Sequence, residues 1–157
     1  MLRKLTLVLS LLVPLSVSAG VDGVWQCNVK VMTTAKVNGR VTKGTDFSSG
    51  TQTLFPDGTY TSVSPVSPIV AHGTYTLKKR TIQFYPNYDD LIAIAEKACS
   101  QGGARCFVSA VSGKSTATTN KAFTTMKGTG RLKMSLLVNG SLLVRSTGIS
   151  SSSCARR

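Results

Sequence analysis

His72 is the single histidine of the chain, set among four cysteines and six carboxylates in 157 residues. Any Ser–His or Cys–His nucleophilic scheme must therefore run through it. It sits in Val70-Ala-His-Gly73, just ahead of a tight strand, where a hydrogen-bonded strand histidine is expected rather than a general base. Asp89-Asp90 is the one adjacent pair of acids. At a helix N-terminus such a pair complements the positive end of the peptide dipoles, and the other acids are too scattered to suggest a two-carboxylate cleft. No C-x₂₋₄-C pair exists for zinc. Lys127-Gly-Thr-Gly130 falls between strands and reads as a turn, not as a phosphate-cradling loop ahead of a helix. Asn139-Gly-Ser141 matches a glycosylation sequon, but a two-residue hairpin turn makes it a poor acceptor. These residues imply no catalytic set, no metal and no cofactor, and the expectation is a protein that is not an enzyme.

The cysteines read differently once the compartment is considered. Arg3 and Lys4 precede an apolar run, Leu5 to Leu15, and Val17-Ser18-Ala19 supplies small and aliphatic residues before a cleavage point. That is the layout of a secretory signal peptide over residues 1–19, with the product starting at Gly20. The run is about half the 20 residues that a membrane-spanning helix needs. Gly20 offers no thiol for lipidation, so a secreted or periplasmic protein without a transmembrane segment is expected. In an oxidising compartment Cys27, Cys99, Cys106 and Cys154 are expected to form disulfides. Of the three possible connectivities, we favour Cys99–Cys106, closing a short local loop, with Cys27–Cys154 tying the first strand to the tail.

The elements that would position these residues are mostly strands. Segments rich in Thr, Val, Tyr and Phe recur at Val24–Val37, Arg40–Phe47, Thr51–Phe55, Thr59–Ser64, Val70–Leu77 and Thr81–Tyr85. They continue at Arg105–Val111, Thr116–Thr125, Arg131–Val138 and Ser141–Thr147. Asn38-Gly39 and Asn139-Gly140 suit the left-handed dihedrals of two-residue hairpin turns, and Pro56-Asp57-Gly58 and Lys78-Lys79-Arg80 mark further reversals. One segment has helical spacing. Asn87 caps it, Leu91, Ile94, Ala95 and Ala98 follow, and Gly102-Gly103 stop it, so a short helix is expected over residues 88–99. About eight to ten antiparallel strands joined by hairpins favour a single all-β, up-and-down barrel over a sandwich. A two-residue turn at 139–140 would place Leu136 opposite Leu143 and Met134 opposite Arg145. Leu132, Met134, Leu136, Val138 and Leu143 then share an apolar face, as candidates to line an internal cavity.

Gly23-Val24-Trp25 opens the first strand. Thr53-Leu-Phe-Pro-Asp-Gly-Thr-Tyr60 and Gly73-Thr-Tyr-Thr-Leu77 follow as strand–turn–strand segments. Together they resemble the calycin superfamily, and in particular bacterial lipocalin-like domains. The resemblance implies one barrel domain over residues 20–157 that holds a small apolar or amphipathic ligand. It also implies that Gly23, Trp25 and a cation on the last strand close the barrel bottom, and Arg145 is the matching position. A mid-chain helix and a Ser-rich tail ending in Cys154 depart from that pattern.

Nineteen Lys and Arg against six acids give a net charge of +13. Loss of residues 1–19 would remove two cations and no acid, leaving +11. Lys78-Lys79-Arg80 is the main basic run. Such a charge attracts polyanions over long range. The alternative to a ligand carrier is therefore a basic interaction protein, an inhibitor or envelope-associated factor, that binds an anionic envelope polymer or an acidic protein. Nucleic acid is not an expected partner, on grounds of compartment and because basic and aromatic residues do not interleave.

Overall fold

The computed structural model describes residues 20–64 and 67–157. The expected signal peptide, residues 1–19, lies outside the described residues. Eight antiparallel strands follow one another around a closed barrel: β1 (Gly23–Val37), β2 (Arg40–Leu54), β3 (Thr59–Ser64), β4 (Ser67–Lys78), β5 (Thr81–Pro86), β6 (Cys106–Thr119), β7 (Thr125–Val138) and β8 (Leu142–Arg156). Each pairs with its sequence neighbour, and β8 returns to β1 to close the ring. One helix, α1 (Tyr88–Gln101), fills the β5–β6 connection. The all-β up-and-down barrel with a single mid-chain helix is as the turn chemistry implies.

Ten expected strands become eight because two apparent breaks are strand interiors. Ser48–Gly50 runs straight through β2, and Ser112–Lys114 through β6. Lys127–Gly130, expected as a turn, is likewise interior to β7. The Ser-rich tail is not a tail: Gly148–Arg156 is the second half of β8 and pairs with both β1 and β7. Small residues in these stretches serve the packing of the inner face rather than a chain reversal. The two-residue turn at Asn38-Gly39 does form, with φ of 47° and 82°, between the paired residues Val37 and Arg40.

The strands differ in length, and this shapes the molecule. β1, β2, β6, β7 and β8 span 14 or 15 residues, whereas β3 and β5 have six. β3 pairs β2 only over Thr51–Leu54, and β5 pairs β6 only over Ser115–Thr118. All eight strands therefore close around one end. Beyond it the five long strands continue as a curved sheet, with α1 packed against β6 and β4 where the short strands stop. At the closed end lies the core: Val21, Trp25, Leu54, Tyr60, Tyr75, Ile82, Phe84 and Met126, with the Cys27–Cys154 disulfide. Cys27 and Cys154 are direct cross-strand partners at the β1–β8 seam, so the bridge locks the ring where it closes.

α1 starts where Asn87 Oδ1 accepts from Asp89 N (3.0 Å), and it ends at Gly102. Four ties hold it. Cys99 bridges to Cys106 at the start of β6. Glu96 Oε1 accepts from Val108 N (3.0 Å) beside the β6 bulge. The Tyr88 hydroxyl both donates to Gly113 O and accepts from Gly113 N, each at 3.1 Å. Asp90 Oδ2 takes the backbone N–H of His72 (2.7 Å) and faces its Nδ1 (2.8 Å). His72 is thus a strand histidine with a carboxylate partner, and Asp90 joins helix to strand as well as facing the helix dipole. The His72 amide and ring together hold the Asp90 carboxyl below the usual carboxylate range.

Candidate ligand cavity

Cross-strand register assigns the barrel interior rung by rung. On β1 the inward residues, from the closed end outward, are Trp25, Cys27, Val29, Val31, Thr33, Ala35 and Val37. The rung of Cys27 holds Cys154 and Met126, and the disulfide and the thioether are buried together there. The next rung sets Val29 beside Ser48, Ser152, Gly128 and Ala117. Then come Val31, Ser150, Gly130 and Ser115, followed by Thr33, Gly148, Leu132 and Gly113. Replacing bulky residues by Gly and Ser over successive rungs leaves space that the backbone, held by its ladder, cannot collapse to fill. A cavity of about 370 Å³ results, bounded by Val31, Leu91 of α1, Leu132, Met134, Gly148 and Ser150. Deeper, toward the disulfide, a further space of about 270 Å³ shares Ser115 and Ser150 and adds Ser48, Ser62 and Ser152.

The site is graded: hydroxyls deep inside, aliphatic and thioether groups above them with Lys114 and Arg131 at the border, and Val37, Leu136 and Val144 on the last rung that β1 shares with β8. Among the described residues no group of three or more His, Cys, Asp and Glu is placed to hold a metal ion. The His72–Asp90 pair sits on the outer surface between β4 and α1.

The structure separates the candidate residues. Leu132 and Met134 border the cavity. Leu136 and Val138 lie on the same inner face, nearer the open end. Leu143 does not belong with them. The β7–β8 loop is three residues, Asn139–Ser141, so Val138 pairs with Leu142, Leu137 with Leu143 and Ser135 with Arg145. One extra loop residue shifts the register by one and turns every β8 side chain to the opposite face. Leu143 and Arg145 therefore point outward, and both are exposed.

The same shift removes Arg145 from the barrel bottom. Arg145 pairs with Lys36, eleven residues along β1 from Trp25, or roughly 36 Å at 3.3 Å per residue. Trp25 is fully buried, and its indole N–H donates to Val21 O at 2.8 Å. The cation beside it is Arg156, its direct partner on β8. The Arg156 guanidinium donates to Gly20 O (3.0 Å) and Asp22 O, stapling the N-terminal segment over the closed end. Gly23 has φ +123°, and a Cβ there would meet that guanidinium at 3.2 Å, which explains the glycine two residues before the tryptophan. The signal that would have identified Arg156 is its position two residues after Cys154, once Cys154 is matched to Cys27. Lys78, Lys79 and Arg80 lie exposed at the β4–β5 turn of the closed end, away from the cavity.

No protein-family model matches the chain, and no curated protein matches it. Among solved structures, the YwiB protein of Bacillus subtilis is similar over 81% of this chain and 91% of its own, with 7% identity and a TM-score of 0.31. A DUF3598-family protein of unknown function from Nostoc punctiforme PCC 73102 is similar over 87% of this chain, with 10% identity and a TM-score of 0.28. This chain spans about half the length of the latter, 47%. At these scores neither likeness bears on function.

Proposed function

We propose that the protein is a non-enzymatic, lipocalin-like binding protein, secreted or periplasmic, whose barrel interior holds a small amphipathic molecule. The observation that carries this reading is the run of small inward residues, Gly113, Ser115, Gly130, Gly148 and Ser150, which leaves a cavity of about 370 Å³ in a closed eight-stranded barrel. That volume falls in the range of ligand pockets, about 300–1,000 Å³. The gradient of the lining favours a ligand with a hydrogen-bonding end toward Ser48, Ser150 and Ser152 and an apolar end toward Leu132 and Met134, with Lys114 and Arg131 at the border. Both disulfides fit an oxidising compartment. Among the described residues no helix is long and apolar enough to cross a membrane.

Native mass spectrometry of protein purified from its own host tests the reading, because a carrier retains a bound mass. Gly148→Val gives the control: a Cβ at Gly148 meets only Val31 Cγ1, at 3.7 Å, so the fold accepts a side chain that then occupies the cavity. The bound mass should vanish in that variant. A cavity that stays empty in the native protein, and takes up no apolar fluorescent probe, would refute the proposal.

A second reading, attraction of anionic partners to the outer surface, is favoured by one specific observation. The outer faces of β1, β2, β6, β7 and β8 carry Lys30, Lys36, Lys43, Lys114, Lys127, Arg131, Lys133 and Arg145, and no carboxylate shares that outward register.

A further inference from the structure

At the open end the outer face changes character. Elsewhere it carries mainly Ser, Thr, Lys and Arg, with Phe47, Val41 and the pair Met32–Ile149 as exposed apolar residues set among cations. At the tip of β6–β7–β8 it presents Phe107, Leu137 and Leu143 side by side, since Phe107 pairs with Leu137 and Leu137 with Leu143. Phe107 is 62% exposed and Leu143 39%. On the inner face of the same tip stand Val138 and Leu142, with Leu136 and Val144 one inward rung below them. A strand end that is apolar on both faces is the pattern of a segment surrounded by apolar material, yet no other element of the described chain covers the outer side.

Charge identifies what covers it. Two residues behind Leu143, about 7 Å along the strand, Arg145 stands directly opposite Lys36. Like charges at that spacing repel unless an anion lies over them. Arg105 adds a cation at the tip itself, where its backbone N–H donates to Asn139 Oδ1 (2.9 Å) and its carbonyl accepts from Asn139 N (2.7 Å). Of the six acids, Asp22 and Asp57 belong to the closed end, Asp89, Asp90 and Glu96 to α1, and Asp46 to the inward register of β2. Glu96 alone comes near the tip, where it is held by Val108 N (3.0 Å), and no acid shares the outward register of Lys36 and Arg145.

We propose that this tip inserts into the surface of an anionic lipid bilayer. Phe107, Leu137 and Leu143 enter the acyl boundary, Lys36 and Arg145 lie at the phosphates, and Arg105, at the tip, reaches back toward them along its aliphatic stem. The roughly 7 Å between the apolar row and the Lys36–Arg145 row matches the 5–10 Å to which interfacial segments sink below the headgroups. The inference rests on the surface reading for its charge and adds a hydrocarbon contact that polyanion binding alone does not require. It also places the cavity mouth at the membrane, because the apolar rung of Val37, Leu136 and Val144 lies between tip and cavity.

Flotation of the disulfide-bonded protein with vesicles of phosphatidylcholine, with and without 30% phosphatidylglycerol, tests this, with dextran sulfate as a soluble polyanion. The expected result is binding to the anionic vesicles only. Phe107→Ser with Leu143→Ser should lower it at least tenfold while binding to dextran sulfate is retained. Lys36→Glu with Arg145→Glu should lower both. Since Phe107 and Leu143 are exposed, an unchanged melting temperature and Trp25 emission certify the fold of the tip variant. Leu143→Trp should shift to bluer emission on anionic vesicles and be quenched by brominated acyl chains. Vesicle binding that ignores the tip variant would overturn the insertion and leave surface attraction standing. Binding to dextran sulfate without any to vesicles would do the same. A dimer in solution that the tip variant dissociates would overturn it in favour of self-association.

Discussion

The two ends of the barrel are built from the same strands with the same alternation, yet one is solid and the other hollow. At the closed end the inward positions hold Trp25, Leu54, Ile82, Phe84 and Met126, and every strand has a neighbour on both sides. At the open end the wall is five strands and a helix, and the inward positions begin with Gly and Ser. Polar–apolar periodicity is therefore silent on whether a barrel is packed. The size of the inward residue decides, because the ladder fixes the ring's diameter independently of what fills it. The lesson extends to stability: the closed end should carry the fold, and the open end should be free to serve binding.

Removing the seam disulfide should have the largest effect. Cys27–Cys154 closes 127 residues and Cys99–Cys106 only seven. Chain-entropy arguments put their contributions at about 5 and about 2.5 kcal/mol. Urea unfolding of Cys27→Ser/Cys154→Ser and of Cys99→Ser/Cys106→Ser should rank in that order. The reverse order would mean that the helix tether, not the seam, limits stability.

Truncations at the two ends sharpen the contrast next. Leu54→Ala should cost about 2–5 kcal/mol, the usual range for a fully buried aliphatic residue. Met134→Ala, which merely enlarges an existing cavity, should cost under about 1 kcal/mol in the same urea titration. Similar losses at both sites would make the open end as tightly packed as the closed one.

Arginines on β8 offer a third comparison. Arg156→Ala removes guanidinium bonds to Gly20 O and Asp22 O and should cost about 1–2 kcal/mol, with a red shift of Trp25 emission. Arg145→Ala should leave both stability and emission unchanged, since Arg145 pairs with Lys36 at the far end. A red shift in the Arg145 variant alone would contradict the register.

The closed end should also be the alkali-sensitive one. Burial pushes the Tyr60 phenol up to about 12. Burial, and then the Asp22 carboxylate 2.9 Å from its hydroxyl, does the same for Tyr75. An acid whose folded pKa is raised stabilises the fold fully below its unfolded value, near 10, and loses that contribution as pH rises through about 12. The urea midpoint should therefore fall between about pH 10 and 12, and Tyr60→Phe should flatten that fall. An unchanged slope would count against the burial of Tyr60.

The smallest effect belongs to α1. Asp90 is held below its ordinary value by the His72 amide and ring, so its contribution is present above the unfolded carboxylate pKa and lost as pH falls through the folded one. Asp90→Asn should abolish a slight acid-side loss of helix protection in amide exchange while leaving the amides of β7 and β8 unaffected. Equal changes in helix and strands would show that α1 is not an independent unit.

Much of this was legible from residue types alone. Parity and compartment led to two disulfides, and Cys27–Cys154 was the favoured pairing of three, as a tie from the first strand to a tail that proved to be the end of β8. Asn87, Leu91 and Gly102 placed α1 to within two residues at its C-terminus. Turn residues at Asn38-Gly39, Pro56–Gly58 and Lys79-Arg80 marked real reversals. Gly and Ser inside β2, β6, β7 and β8 misled for a physical reason: local chemistry makes them turn formers, and only neighbouring strands can hold them extended.

What the sequence determined by itself is what local forces decide: the strand or helix character of most segments and the turns rich in Asn-Gly or Pro-Asp-Gly, while three cysteine connectivities stayed open. What the tertiary structure alone decided is register and height around the ring. A third loop residue, Ser141, rotated Arg145 and Leu143 to the outside and left Arg156 to clamp Trp25's end of the barrel. Register across β6–β7 and β7–β8 aligned Gly113, Gly130, Gly148 and Ser150 at neighbouring levels, and closure of β8 onto β1 set Val31 and Thr33 beside them, turning scattered small residues into one cavity. Local propensity is set within a few residues, whereas register sums every loop and bulge between two strands, and a single residue reverses the face.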